Sequence, residues 1–124
     1  MKTIFDPLRK KEVALTPEEG VRQAVIAWLR DTVGIPQVRM QSEWPFRYNG
    51  RTFRADVITF DRNLKPEILV ECKAPSVNID SSVIEQVIRY VRVLEAKNII
   101  VTNGSVTLFF TREGDSYKQT SGLK

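Results

Sequence analysis

The chain has 124 residues, of which 42% are hydrophobic and 27% charged, so one compact core is expected rather than disorder. It contains no histidine, which excludes Ser-His-Asp and Cys-His catalysis, histidine-based zinc sites and every nuclease chemistry with a histidine base. No GxxxxGK[ST] loop is present, so P-loop nucleotide hydrolysis is excluded too. The formal net charge of +4 suits a polyanionic partner without demanding one. Cys72 is the sole cysteine, and the apolar runs are too short for a membrane span or secretory signal. Both features predict a reducing, cytoplasmic setting.

We expect one domain over residues 1–124, with residues 1–15 as a basic, irregular N-terminal arm. Thr16-Pro17-Glu18-Glu19 then opens a helix: Thr16 can cap, Pro17 suits the first helical position, and Glu19 stands where a capping box places its acid. Val21, Ala24, Val25, Trp28, Leu29 and Thr32 follow as an apolar stripe, and Gly34 and Pro36 stop the helix near residue 33. Strands over roughly 38–47 and 52–60 are joined by Asn49-Gly50, a dipeptide that supplies the positive φ angles of a two-residue hairpin turn.

The run from Glu67 to Lys73 reads as a third strand, buried on both faces and closed by Ala74-Pro75. Ser82-Val83-Ile84-Glu85 reads as a second capping box, opening a helix over 83–96. Val83, Ile84, Val87, Val91 and Leu94 form its core stripe. Residues 98–102 and 105–110 make a last hairpin across Asn103-Gly104. The fold class is therefore α/β in the broad sense (α+β), in the order α-β-β-β-α-β-β, with a central mixed sheet flanked by helices.

On this framework the polar residues form a pattern. Alternation along the third strand puts Leu69, Glu71 and Lys73 on one face, with Glu71 and Lys73 about 7 Å apart. Asp56 lies inside the preceding strand, and an antiparallel pairing around residues 61–66 brings it within reach of Glu71. Two carboxylates about 4 Å apart repel by ~4 kcal/mol at an effective dielectric near 20, a cost that makes sense where a cation sits between them. Magnesium is typically held by one or two carboxylates plus waters and phosphate oxygens. Asp56, Glu71 and the main-chain carbonyl of Cys72 offer such a face, with Lys73 placed to orient a water or stabilise a transition state. Standing alone, D-x(14)-E-x-K is a weak signal, because acids and bases at strand ends are usually solvated.

The other polar residues have two readings each. Glu19 is either a cap residue or part of a metal site, and Glu18 is a substitute in both roles. Gln86 and Tyr90 stand one helical turn apart, either as a helix-edge pair or beside the strand end, contacting phosphate or orienting Lys73. The thiol of Cys72 reads as a core group, Trp28 as core, and Trp44 as core or as an exposed stacking surface.

Taken together, Thr16-Pro17-Glu18-Glu19 with Arg22, Arg54-Ala55-Asp56, Glu71-Cys72-Lys73-Ala74-Pro75, Gln86-x-x-x-Tyr90 and Thr102-Asn103-Gly104 resemble the N-terminal nuclease domain of type I restriction enzyme R subunits. That domain is part of the PD-(D/E)xK superfamily, and the likeness spans roughly residues 9–111. The Gln86-x-x-x-Tyr90 element also resembles the motif after the lysine in RecB-like nucleases.

The resemblance implies a restriction-endonuclease-like core and Mg2+- or Mn2+-dependent hydrolysis of DNA. It makes Asp56 and Glu71 the metal-binding acids, Lys73 the catalytic lysine, Glu19 the helix-one acid, and Gln86 and Tyr90 an added catalytic motif. It also puts Arg22, Arg54, Gln86 and Tyr90 in contact with nucleic acid. Ala55 stands where the family usually has proline, and the 124 residues contain no helicase motor, so translocation is not expected of this chain. Its partners are then DNA and either a second copy, as a homodimer, or a larger restriction or repair complex. The competing reading is a nucleic-acid-binding or assembly module that keeps the fold without catalysis.

Overall fold

The computed structural model describes residues 1–124. The chain folds as a mixed α+β structure: a six-stranded mixed sheet with a helix on each face, and a separate two-stranded hairpin at the N-terminus.

The first 15 residues are not the irregular arm that the sequence suggests. β1 (Thr3–Asp6) and β2 (Lys11–Ala14) pair antiparallel. The turn between them is built around Asp6, whose fully buried carboxylate accepts from the Leu8 amide at 2.9 Å and from Arg9 Nε. Arg9 then reaches on to Glu19 Oε1 at 2.7 Å, which ties the hairpin to the first helix.

That helix, α1 (Pro17–Trp28), starts as expected: Thr16 is extended, and its hydroxyl accepts from the Glu19 amide at 3.1 Å. It runs on through a π-helical turn at Leu29–Val33 and stops at Gly34, whose φ of 87° is the left-handed stop that glycine tolerates best. The buried stripe differs from the expected one. Ile26 is buried with Val21 and Leu29, whereas Ala24 and Thr32 are exposed. A helix seated on a sheet hides a narrow strip, and Ala24 and Thr32 lie beyond its edge.

The main sheet comprises β3 (Met40–Tyr48), β4 (Arg51–Phe60), β5 (Pro66–Cys72), β6 (Asn98–Thr102), β7 (Thr107–Glu113) and β8 (Ser116–Thr120), lying side by side in chain order. Only β5 and β6 run parallel, joined by a crossover that carries α2 (Ser81–Val91). Asn49 and Gly50 (φ 54° and 77°) make the β3–β4 turn, as the dipeptide predicts. β1, β2 and β8 are strands the sequence reading lacked.

Two boundaries also shift. Asp80, not Ser82, caps α2: its Oδ1 accepts from the Val83 amide at 3.0 Å, so the helix starts two residues earlier than expected. The helix also ends earlier, at Val91, and a 3-10 turn closes at Glu95 with φ 54°. The β6–β7 connection spans residues 103–106 rather than two residues, because Asn103 Oδ1 accepts from the amides of both Ser105 (2.9 Å) and Val106 (2.7 Å) and widens the turn.

The two faces of the sheet hold separate cores. α1 covers Val57, Ile68, Val70, Cys72 and Ile100, while α2 covers Ile58, Leu69, Ile99, Val101 and Phe110. β5 is buried on both sides, which accounts for its near-continuous apolar run. Each of these aliphatic side chains contributes on the order of 1.5–3 kcal/mol through burial, so the strand that carries Glu71 is firmly anchored. No helix is long and apolar enough to cross a membrane.

Candidate active site

β4 and β5 pair only from Val57↔Val70 to Phe60↔Pro66. Beyond that, the first half of β4 follows β3 alone, and β5 ends at Cys72. The sheet therefore forks, and Asp56 and Glu71 stand at the first positions past the last shared pair.

Asp56 continues the pairing with its side chain: Oδ2 accepts from the Cys72 amide at 2.8 Å. Its Oδ1 faces Arg22 Nη2 at 3.3 Å. Burial pushes its pKa up, and the Cys72 amide and Arg22 offset this only in part. The charges of Glu18 and Glu43 raise it further, to about 6. Glu71, 5% exposed, accepts from the Tyr90 hydroxyl through Oε2 at 3.2 Å. Burial and then the Asp56 charge raise its pKa to about 8, against the opposing pull of Lys73, the Tyr90 hydroxyl and the Asp56 main-chain amide.

Glu71 Oε1 is buried without a hydrogen bond of good geometry, although the Asp56 main-chain amide lies close enough to the carboxylate to lower its pKa. An unsatisfied buried carboxylate oxygen costs on the order of a few kcal/mol unless a proton or cation completes it. Two carboxylates, one with an open oxygen, form a donor set that fits a hard divalent ion; Asp56, Glu71 and the Cys72 carbonyl are the groups that would hold it. No group of three or more His, Cys, Asp or Glu side chains lies close enough together to hold a metal. An ion held there by Asp56, Glu71 and the Cys72 carbonyl alone would keep most of its waters.

Lys73 follows the strand directly, half-buried, with its amide donating to the Thr102 carbonyl at 2.8 Å. Its ammonium is near enough to lower the pKa of Glu71. Beyond it, Asn103 Nδ2 donates to the Val77 carbonyl at 2.9 Å and pins the loop that leads from Lys73 to α2.

Arg22 is 6% exposed and turned inward rather than towards a nucleic-acid surface. It donates to Glu43 Oε1 (2.5 Å), Ser42 Oγ (3.2 Å) and Asp56, and lies 3.6 Å from Glu19 Oε2. Glu19 is held by Arg9 and by Gln23 Nε2 at 3.0 Å, and it is not brought to the Asp56–Glu71 pair. Of the two helix-one acids, Glu18 is exposed, and its charge is among those that raise the Asp56 pKa. Gln86 is exposed on α2, one turn before Tyr90, and Arg54 is exposed on β4. Burial pushes the Cys72 thiol up, which leaves it unreactive.

Ser42 and Glu43 escaped the sequence reading. Glu43 breaks the β3–β4 register with a φ of 56°, and no local pattern announces that. Trp28 borders the α1-side core, whereas Trp44 is partly exposed and meets Phe60 edge-on at 5.2 Å. An apolar hollow of about 340 Å³ between α1 and β6–β7, lined by Val21, Trp28 and Phe109, does not include the acids.

Comparison with known proteins agrees with the expectation of a restriction-enzyme relative. The family model described as type I restriction enzyme R protein N terminus (HSDR_N) matches residues 17–123. No curated protein and no solved structure matches the chain. The matched stretch runs from the first residue of α1 past the end of β8 and takes in every residue of the fork, so the chain belongs to the type I restriction enzyme R protein N-terminus family.

Proposed function

We propose that the chain is a metal-dependent nuclease of the PD-(D/E)xK class, with a restriction-endonuclease-like core, that hydrolyses DNA phosphodiester bonds within a restriction system. The observation that carries this reading is the fork: Asp56 and Glu71 flank it, both with raised pKa values, and Glu71 keeps a buried oxygen without a hydrogen bond of good geometry. A bound Mg2+ or Mn2+ would supply a water of lowered pKa and offset charge on the phosphate.

The chain's own residues do the rest. Tyr90 fixes the Glu71 carboxylate by its hydrogen bond, and Arg22 and the Cys72 amide fix Asp56. Lys73, an ammonium at the mouth of the fork, stabilises charge on the reacting phosphate and orients the attacking water. Gln86, exposed one turn from Tyr90, would touch the phosphate backbone. Glu18 is a better candidate than Glu19 for an outer acid that orders metal-bound waters, because its charge already acts on Asp56.

The test is nicking of supercoiled DNA with Mg2+ or Mn2+. Activity is expected in the native chain and lost in Asp56→Ala and Lys73→Ala. Undiminished cutting by either variant would remove the reading. A second reading, a DNA-binding or assembly module without catalysis, draws on one observation: the guanidinium of Arg22 already lies on Asp56. Salt-sensitive DNA binding without cleavage under any divalent ion would favour it.

A further inference from the structure

Past the fork, the distal half of the β3–β4 hairpin continues as a two-stranded ribbon without β5 alongside. Asp56 to Arg51 is five residues, ~17 Å of strand, or about half of one turn of B-form DNA. Between Glu43 and Asp56 the sequence holds three arginines, Arg47, Arg51 and Arg54, and no acid. All three are exposed and none pairs with a carboxylate. Arg47 instead braces the turn, donating to the Gly50 carbonyl at 2.7 Å and Thr52 Oγ1 at 3.2 Å, while Arg51 lies over the Phe53 ring at 5.6 Å.

The register distributes this charge over both sides of the ribbon. Tyr48↔Arg51 and Phe46↔Phe53 share one face, while Arg47↔Thr52 and Pro45↔Arg54 share the other. The root of the ribbon is set by aromatic contact with the site: Phe53 stacks on Tyr90 at 4.8 Å and 12°, and Tyr90 is the residue that holds Glu71.

We propose that this ribbon is a DNA-guiding arm that enters the major groove of a duplex, with Arg51 facing one backbone and Arg47 and Arg54 the other, so that the strand beside it is led into the fork. A ribbon charged on one face would lie on one strand; one charged on both faces suits a space walled by phosphates on two sides. The major groove is wide enough to admit two β-strands. The assignment of the fork as the cutting site rests on the function proposed above, whereas duplex binding by the arm does not.

The experiment measures binding of the full chain to a short DNA duplex, and to its single strand, by fluorescence anisotropy in Ca2+ across a range of salt. Three proteins are compared: the native chain, Arg47→Ala/Arg51→Ala/Arg54→Ala, and a charge-matched control, Arg89→Ala/Lys97→Ala/Lys118→Ala, with melting curves to confirm folding. The arm variant is expected to bind the duplex roughly tenfold more weakly near 0.1 M salt, with a log–log salt slope shallower by about 2–3, while the control stays near native. Should the arm variant not fold, Arg54→Glu alone is expected to weaken duplex binding.

Native affinity and slope in the arm variant would overturn the proposal, as would an equal loss in the control. So would an effect confined to the single strand, or a native chain without salt-sensitive duplex binding. A Lys73→Ala variant that still cuts DNA would instead sink the nuclease reading and leave these binding results standing.

Discussion

The Tyr90 hydroxyl donates to Glu71 Oε2 at 3.2 Å, so a helix on one face of the sheet holds the strand carboxylate whose other oxygen lacks a hydrogen bond of good geometry. This bond lowers the Glu71 pKa against the upward push of burial and of Asp56. Tyr90→Phe removes the bond and keeps the ring on Phe53. The pKa of Glu71 then rises further, and less of it is ionised at neutral pH. The acidic limb of the cleavage pH profile is expected to move to higher pH, with activity at pH 7 down roughly tenfold and stability changed by about 1 kcal/mol or less. An unmoved profile would show that the bond does not tune Glu71.

The raised pKa values also set a stability trend. Glu71 moves from an ordinary 4.5 to about 8, and Asp56 from 3.8 to about 6. In those intervals the folded chain binds more protons than the unfolded one. Their contribution is therefore complete below the unfolded values and is lost as pH rises through about 6 and then about 8. Without divalent ions, melting temperature is expected to fall across this range. Glu71→Gln should flatten the decline and melt higher than the native chain above pH 8. Mg2+ should restore the native chain most at high pH, with release of up to about one proton on binding near pH 7. Calorimetry in buffers of different ionisation enthalpy reads the proton directly; its absence would contradict a protonated Glu71.

Arg22 is the counter-charge for Asp56 and Glu43. Removing one partner of a buried ion pair costs on the order of 3–5 kcal/mol, because the remaining charges lose their compensation. Arg22→Met should lower stability in urea by about that much, and Arg22→Lys should recover little, since an ammonium cannot fork between Ser42, Glu43 and Asp56. A loss below about 1 kcal/mol would mean the carboxylates are already solvated or protonated.

Helix capping provides a check on the fold itself. Asp80→Ala is expected to cost about 1 kcal/mol, because Oδ1 satisfies the Val83 amide; Ser82→Ala, which removes only a hydroxyl bonded to that same carboxylate, should be close to neutral. The reverse order, read by chemical denaturation, would restore Ser82 as the cap.

The features legible in the sequence are those specified locally. Thr16 caps its own helix, Asn49-Gly50 carries its own turn, and the apolar run of β5 is long enough to show its burial. That Asp56 and Glu71 sit on neighbouring strands just past their last shared pair needed only one further assumption, that adjacent strands pair antiparallel. What stayed hidden depends on distant partners or on very short stretches. β1 and β2 have four residues each, too few to display alternation, and β8 is a mostly polar edge strand. Asp80 and Ser82 are both good caps, and only geometry chooses between them. Whether Glu18 or Glu19 faces Asp56 depends on the rotation of α1 about its axis, and the enclosure of Arg22 depends on the positive φ of Glu43.

The central claim, that Asp56 and Glu71 together bind a divalent ion at the fork, is tested most directly by crystals grown or soaked with Mn2+ and mapped by anomalous scattering. The account predicts one dominant peak within coordination distance of both carboxylates and next to the Cys72 carbonyl. A strong Mn2+ peak elsewhere, with Arg22 still on Asp56 and the Glu71 oxygen still unpartnered, would contradict it.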